Sequence, residues 1–527
     1  MTAATQMSDP CSEADFDSFL ADFKTRLQHL FHVRADIDKI SLKRGMPPFL
    51  LREILAGKPL STFIPSSYGG RGGQIHQGLS LLAAASYESL PLSLGFGINW
   101  ALFLQPVAKY ARESIRQPVF DGFLTQQKMG GLMITEPDYG SDALHMQSSY
   151  TQVGDRYAIR GVKHWAGLTG WADYWLLTAR QKTASGQLAR DVDFFICDVG
   201  APRQSILVEE VFENLGVYLL PYGRNRIDVE VPLEQKLVPQ STGIKMMLDL
   251  LHRSRMQFPG MGLGFLERLL DEAVAHCRER QVGGKSLFAY DQVQRRLARL
   301  QASVTIAAAM CLNSSKKAML ETDLAAAGLE ANAVKTCVTD LMQAAAQSLL
   351  QLVGAKGYRL DHIAGRALVD SRPFQIFEGS NDILYIQIGE AVQKMMQRQK
   401  QQNLLSLTRT MALTSRAADY LREHLDVTLC LPLSQRQLAA LGLLISRVIA
   451  LHLTEELGDT GYDARLISNC RDALSEEIAT EVNGFKTLAA AHYSEADPAA
   501  TSWLNGFRRQ QDSLDPRSGC GSAVSGR

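Results

Sequence analysis

The chain has 527 residues, 46% hydrophobic and 21% charged, so it is long enough for two to four domains and too apolar for wholesale disorder. Lys plus Arg number 55 and Asp plus Glu 55, a balance that argues against a broad electrostatic grip on nucleic acid and leaves room only for a local patch. The eight cysteines are scattered, with no C-x-x-C pair and no H-E-x-x-H, which argues for reduced thiols and against the usual structural zinc arrangements.

The N-terminus, MTAATQMSDPCSEADFDSFL, is acidic and lacks both an apolar h-region and an Arg-rich face. It reads as neither a secretory signal nor a mitochondrial presequence. No run approaches about eighteen uncharged apolar residues, so the expectation is a cytoplasmic protein without a transmembrane span. Helical spacing marks residues 14–56 and 77–128, as in FDSFLADFKTRLQHLFHV, with a Gly/Ser/Pro loop, IPSSYGGRGG, between them. Short β-branched and aromatic runs follow: GLMIT, SSYTQV, YAIRGV, DYWLLTAR, VDFFICDV and IDVEVP. Helical periodicity then returns in GMGLGFLERLLDEAVAHCRERQ, DQVQRRLARLQASVTIAAAM and ANAVKTCVTDLMQAAAQSLLQLV, Ala/Leu-rich stretches of the kind that pack into bundles.

The predicted organisation is therefore a helical domain over 1–128, a β-domain over 129–240 and a helical domain over 241–396. An additional helical extension over 397–512 and a disordered tail over 513–527 complete it. The fold class is α+β, mainly α. Within the extension, QLAALGLLISRVIALHL is strongly apolar and interrupted by Arg447; core packing is its first reading, dimer or membrane contact its second.

Three segments carry chemistry. Thr135-Glu136-Pro137-Asp138-Tyr139-Gly140-Ser141-Asp142 follows a β-run and makes a tight turn with backbone N–H groups and hydroxyls exposed, suited to a planar heteroaromatic ring or a diphosphate, or else a plain β-turn. Gly161 to Gly167 places Trp165 in a strand context before small residues, either stacked beside a flat ligand or in the core. In the helical half, Glu378 sits between Phe377 and Gly379, flanked by QIF and ILYI. Burial there would raise the carboxyl pKa and make it a general base. The bland alternative is a helix start, with Ser380 or Asn381 as cap and Asp382 in the first turn.

In this order and spacing, T-E-P-x-x-G-S-D and E-G-S resemble the acyl-CoA dehydrogenase family of flavoproteins over roughly residues 15–395, about three quarters of the chain. The resemblance implies an N-terminal helical domain, a middle β-barrel-like domain and a C-terminal four-helix bundle. FAD would lie between the last two, with the acyl thioester on the flavin's re face. It implies Glu378 as the base that takes the α-proton while a β-hydride passes to flavin N5, giving a trans-2-enoyl thioester. The alternative base position, before Arg255, is Ser254 in this chain.

On the family pattern, Leu132, Thr135, Gly140 and Ser141 meet the flavin and diphosphate. Trp165 and Gly167 flank the ring, and Ser380, Asn381 and Asp382 return to the cofactor. Arg280, Gln292, Gln351, Gly354 and Ala355 would meet the diphosphate and adenosine half of a neighbouring subunit's FAD, which implies a homodimer or homotetramer. Ser141, Arg255 and Gly379 would touch the acyl-CoA. Gly167 departs from the pattern, standing where many members carry a hydroxyl residue.

The phrase I-F-E-G-S-N-D-I-L and the extension resemble the very-long-chain branch, for which Gly95 and Gly97 would leave room for an acyl tail, unless they are ordinary packing glycines. The resemblance implies an electron-transfer flavoprotein as acceptor. The competing readings are an acyl-carrier-protein-linked dehydrogenase or oxidase of a biosynthetic pathway, and a DNA-associated non-catalytic flavoprotein. The absence of a Lys/Arg-rich run in 400–527 counts against the last.

Overall fold

Apolar residues at helical spacing build the first element: Phe16, Phe23 and Leu27 of α1 (Glu13–His29) are all buried, while its acidic first turn suits the helix dipole. The computed structural model describes residues 13–486, 493–495 and 502–514. The first twelve residues of the N-terminus read above lie outside them, as does the tail expected beyond Leu514. Ser513 and Leu514, placed in that tail, instead close a helix.

The longer helices between α1 and the sheet are α2 (Pro48–Ala56), α3 (Ile75–Glu88), α4 (Leu90–Asn99) and α5 (Glu113–Gln126). Helix α4 runs through a π-turn at Trp100–Leu104 into Gln105–Tyr110. A Cβ on Gly97 would come within 2.9 Å of Met261 Cε, so this glycine serves close helix packing rather than open space.

Seven strands follow: β1 (Gly130–Met133), β2 (Ser149–Val153), β3 (Arg156–Gly167), β4 (Tyr174–Gln181), β5 (Asp193–Asp198), β6 (Gln204–Val211) and β7 (Tyr222–Pro232). The sheet order is β1-β4-β2-β3-β7-β6, with β5 on β4. Strand β4 pairs in parallel with β1 and β2 and is buried over Tyr174–Ala179, as its unbroken apolar run requires. The sequence reading misses β6, because this edge strand leaves much of itself exposed and carries Glu209 and Glu210 near its end. Strands β3 and β7 run antiparallel, with a register shift between Lys163 and Ala166 that places Trp165 on an irregularity.

The β-region hands over to helices through Asp191, whose carboxylate accepts the N–H groups of Gly243 at 2.9 Å and Ile244 at 2.8 Å at the start of α6 (Gly243–Arg255). Next come α7 (Phe258–Glu279), α8 (Asp291–Lys317), α9 (Gly328–Val353), α10 (Ile363–Ser371) and α11 (Asn381–Gln399). Helix α7 packs on α3, α8 and α9.

In the extension, the short helix α12 (Leu404–Thr410) precedes two long ones, α13 (Gln435–Asp459) and α14 (Ala464–Lys486). A capping box between Ser434 and Gln437 starts α13, which packs against α11, α8 and α9. Leu90–Tyr110 and Gln435–Asp459 are long and apolar enough to cross a bilayer, a test that core helices also pass, and 94% and 78% of their apolar windows are buried inside the fold. Residues 486–527 form a separate unit, whose described helix, α15 (Trp503–Leu514), brings the Trp503 and Phe507 rings within 6.3 Å.

The loop before β7 is held by a buried acid. Asp370 of α10 accepts the Val217 N–H at 2.5 Å, and burial pushes its carboxyl up to about 6, with Val217 and Arg366 acting against that rise. A carboxyl raised above its unfolded value binds more protons when folded, so its contribution to stability falls as pH rises from about 4 through 6. Asp370→Asn keeps an acceptor for Val217 and removes the buried charge. The variant's stability relative to wild type is expected to grow across this interval by up to roughly 3 kcal/mol, read by urea unfolding at pH 4.5 and 7.

Candidate active site

Glu378 lies in the loop after the turn Arg372–Gln375, two residues before the N-cap of α11. It adopts φ 59° and Gly379 φ 88°, consecutive left-handed positions of which the first is strained for a side-chain-bearing residue. Glycine is required at 379, where a Cβ would also come within 3.0 Å of Leu384 Cδ2 and 3.3 Å of Arg255 Nη2.

Two buried cations of the helical layer hold this segment. Arg255, at the end of α6, donates from Nε to the Glu378 carbonyl at 3.0 Å and from Nη1 to Asn332 Oδ1 at 2.7 Å. Lys335, in the middle of α9, donates to the Gly379 carbonyl at 2.9 Å and to Asn381 Oδ1 at 2.8 Å.

The Glu378 carboxylate itself is held on one side only. Ser254 Oγ donates to Oε1 at 3.1 Å, while Oε2 is buried with no hydrogen-bond partner. Burial raises the carboxyl pKa above its ordinary value, and Arg255, Ser254 and Lys335 act against that rise. The apolar wall comes from the rings of Phe258, Phe374 and Phe377, 5.0–6.0 Å apart, and not from Ile376, which is exposed. Burial, and Arg255 beside it, pull the Lys335 ammonium down to about 7, with Glu378 and Asp340 supporting its charge.

From the sheet side, Tyr222 of β7 reaches the same place. Its phenol is pushed up by burial and by Glu378, and its ring would stand 3.3 Å from a Cβ on Gly167. A Cβ there would also lie 2.6 Å from Ile98 Cδ1, which explains why this position carries no side chain.

Trp165 stands on the β3 irregularity with φ 54° and 53% exposure, its ring 4.4 Å from Phe212. Neighbouring His164 has Nε2 buried and unpartnered, and burial, then Arg224, keep its pKa below the ordinary value. An open indole face beside an orphaned ring nitrogen fits a flat polar heteroaromatic group.

The Thr135–Asp142 turn is pinned to β3 by a buried ion pair. Lys163 Nζ donates to Glu136 Oε1 at 2.9 Å and to Thr178 Oγ1 at 3.0 Å. Glu136 also accepts the N–H groups of Gln147 at 2.5 Å and Ser148 at 2.9 Å. The His164 N–H donates to the Thr135 carbonyl at 2.8 Å, so turn and strand share one frame. Half-buried Leu132 pairs with Leu176 in the sheet, while Gly140 and Ser141 are exposed, with open space at Gly140.

The other predicted residues divide. Ser380 is the N-cap of α11 without a side-chain capping bond, and Asp382 is exposed in its first turn. Asn381 is turned into the bundle, donating to Thr339 Oγ1 at 3.0 Å and Asp340 Oδ1 at 2.7 Å. Exposed Gln292 and Gln351 line a separate groove of about 590 Å³ between α8, α9 and α14, together with Arg295, Arg296 and Arg299. Arg280 is exposed after α7, and Gly354, at φ 71°, and Ala355 are exposed after α9.

Lys335, Tyr222 and the Glu136–Lys163 pair are absent from the sequence prediction. Lys335 had a readable signal: Asn332, Lys335, Thr336, Thr339 and Asp340 form a polar stripe at helical spacing on an otherwise apolar helix.

The family model described as "Acyl-CoA dehydrogenase, middle domain" matches residues 131–228, and "Acyl-CoA dehydrogenase, C-terminal domain" matches 241–393. A glutaryl-CoA dehydrogenase of Desulfococcus multivorans is 26% identical over 328 residues, 61% of this chain and 82% of that protein. The butyryl-CoA dehydrogenase structure from Megasphaera elsdenii superposes with TM-score 0.63 at 21% identity, covering 74% of this chain and 100% of that one. An acyl-CoA dehydrogenase structure with FAD from Bacillus anthracis gives TM-score 0.69 at 16% identity and covers 98% of this chain and 93% of its own. The extension thus lies beyond the first fold and within the second.

Gly167→Ser, which would introduce a hydroxyl on this strand, is expected to destabilise by about 1–3 kcal/mol through collision with Ile98. Adding Ile98→Val, which removes the colliding methyl, recovers part of that loss in urea unfolding.

Proposed function

We propose that this chain, which belongs to the acyl-CoA dehydrogenase family, removes the α-proton and β-hydride of an acyl-CoA thioester to leave the trans-2-enoyl thioester, with Glu378 as the base. The observation that carries this reading is the Glu378 carboxyl: buried, raised in pKa, held at Oε1 by Ser254 and without a partner at Oε2. An orphaned acceptor on a desolvated carboxylate is costly in a folded protein unless a ligand proton is meant to reach it.

FAD, when bound, supplies the acceptor for the β-hydride; Trp165, Gly167, Thr135 and the exposed Gly140–Ser141 turn would hold it. Gln292, Gln351, Arg280 and Gly354 would meet the cofactor of a second copy in a homo-oligomer, and an electron-transfer flavoprotein would take the electrons onward.

The chain's own residues do the proton chemistry. Exclusion of water by Phe258, Phe374 and Phe377 makes Glu378 a stronger base. Ser254 holds Oε1 and leaves Oε2 free to take the α-proton, and the Glu378 N–H would polarise the thioester oxygen, which acidifies the α-carbon. Arg255, on the Glu378 carbonyl, holds the left-handed backbone that this requires.

Glu378→Gln preserves volume and removes the basic oxygen. It is expected to leave folding and FAD binding intact while slowing flavin reduction by acyl-CoA at least roughly 10²–10⁴-fold in rapid mixing. Near-wild-type reduction would displace Glu378 from this role. The base must be ionised, so the reduction rate rises with pH through its pKa. Ser254→Ala removes a bond that favours the carboxylate, and the acid limb of that profile is expected to move to higher pH. An unmoved limb would show that Ser254 does not support the charged form.

A further inference from the structure

Helix α13 is apolar along most of its length yet carries Arg447 in its buried middle. A guanidinium there is tolerable only when paired. Its Nη2 donates to Asp340 Oδ2 at 2.7 Å and its Nε to Glu477 Oε2 of α14 at 3.1 Å. Asp340, on α9, gathers further donors: Asn381 Nδ2 and Gln375 Nε2 each at 2.7 Å on Oδ1, and the Tyr385 hydroxyl on Oδ2. Asn381 accepts from Lys335 at 2.8 Å, and the same ammonium donates to the Gly379 carbonyl at 2.9 Å. An unbroken path of donors and acceptors thus runs from the extension to the residue next to Glu378.

We propose that Arg447 is a positioning residue for the base: through Asp340, Asn381 and Lys335, the C-terminal extension holds the Gly379 carbonyl and so sets where the Glu378 carboxylate stands. The inference rests on the reading of Glu378 given above. It assigns the extension a part in the chemistry although Arg447 touches no reacting atom, and although α13 lies outside residues 241–393, where the C-terminal family domain matches.

The electrostatics agree with the geometry. Burial would push Asp340 up, but the Arg447 charge and the bonds from Tyr385 and Gln375 hold it below the ordinary carboxylate range. Glu477, Glu481 and Cys337 also face this pair, while Lys335 faces Arg255, Glu378 and Asp340. Without Arg447 the carboxylate is left mostly buried and uncompensated. It then takes up a proton or turns toward solvent, and Asn381 and Lys335 lose their anchor.

The test uses full-length, FAD-loaded protein and the variants Arg447→Lys, Arg447→Met and Arg447→Met/Asp340→Asn. In rapid mixing with saturating acyl-CoA, Arg447→Met is expected to slow flavin reduction on the order of 10–100-fold at little-changed half-saturation, as a small displacement of a base does. Arg447→Lys should recover much of the rate. Should Arg447→Met not fold, the double variant, with both buried charges removed, carries the test and is expected to stay slow.

A second readout needs no substrate. In protein carrying ¹³C-labelled lysine, with Lys335 assigned through Lys335→Arg, the double variant is expected to titrate Lys335 at lower pH than wild type, because the Asp340 charge that supports the ammonium is gone. Folded variants that reduce flavin within twofold of wild type, or an unmoved Lys335 titration in the double variant, would overturn the proposal. If no acyl thioester reduces the wild-type flavin, the reaction reading fails, and the Lys335 titration alone decides the relay.

Discussion

The site depends on two consecutive residues being held in left-handed backbone. Glu378 carries a side chain at φ 59°, a conformation that costs on the order of 1–3 kcal/mol and persists only where surrounding contacts over-determine it. Arg255 on one carbonyl and Lys335 on the next supply those contacts. The helix start read from the sequence is present as well, with Ser380 as N-cap and Asp382 in the first turn of α11, and Glu378 just before it is a desolvated acid with a free oxygen.

Holding a carboxylate this way brings other charges inside. Arg255, Lys335 and Arg447 stand against Glu378, Asp340 and Glu477, so each cation of the network faces a carboxylate. Such buried charges add little net stability, because desolvation offsets most of their attraction. Their value is geometric: each removes a choice of rotamer or backbone at its neighbour. The Glu136–Lys163 pair does the same on the sheet side, tying the Thr135–Asp142 turn to the strand that presents Trp165. Two domains of different architecture thus each fix one segment through a buried pair, and Tyr222 of the sheet side is the residue there whose phenol feels the Glu378 charge.

The extension belongs to the same logic. Its longest helix is apolar because it packs against α8, α9 and α11, and its single interior cation lies where the bundle offers Asp340. Two long helices with membrane-like composition are in fact core elements, which shows how far composition alone can stand from placement. Gly97 is a similar case. Space beside a glycine is a property of its neighbours, and here Met261 fills it.

The sequence by itself determined the order of helices, sheet and helices, because hydrophobic periodicity is local and survives without knowledge of partners. Its motifs were dense enough to show a family resemblance, and it is that resemblance that singled out Glu378, Thr135, Trp165 and Gly167. Edge strand β6 escaped, because an edge buries too little to leave an apolar signature. Only the tertiary structure decided that Glu378 is desolvated and one oxygen short of a partner, that Asn381 faces inward, and that Lys335 and Arg447 converge on it. Desolvation and charge pairing are set by residues far apart in the chain, such as Ser254 and Glu378, 124 positions apart, and no local pattern encodes which of them meet.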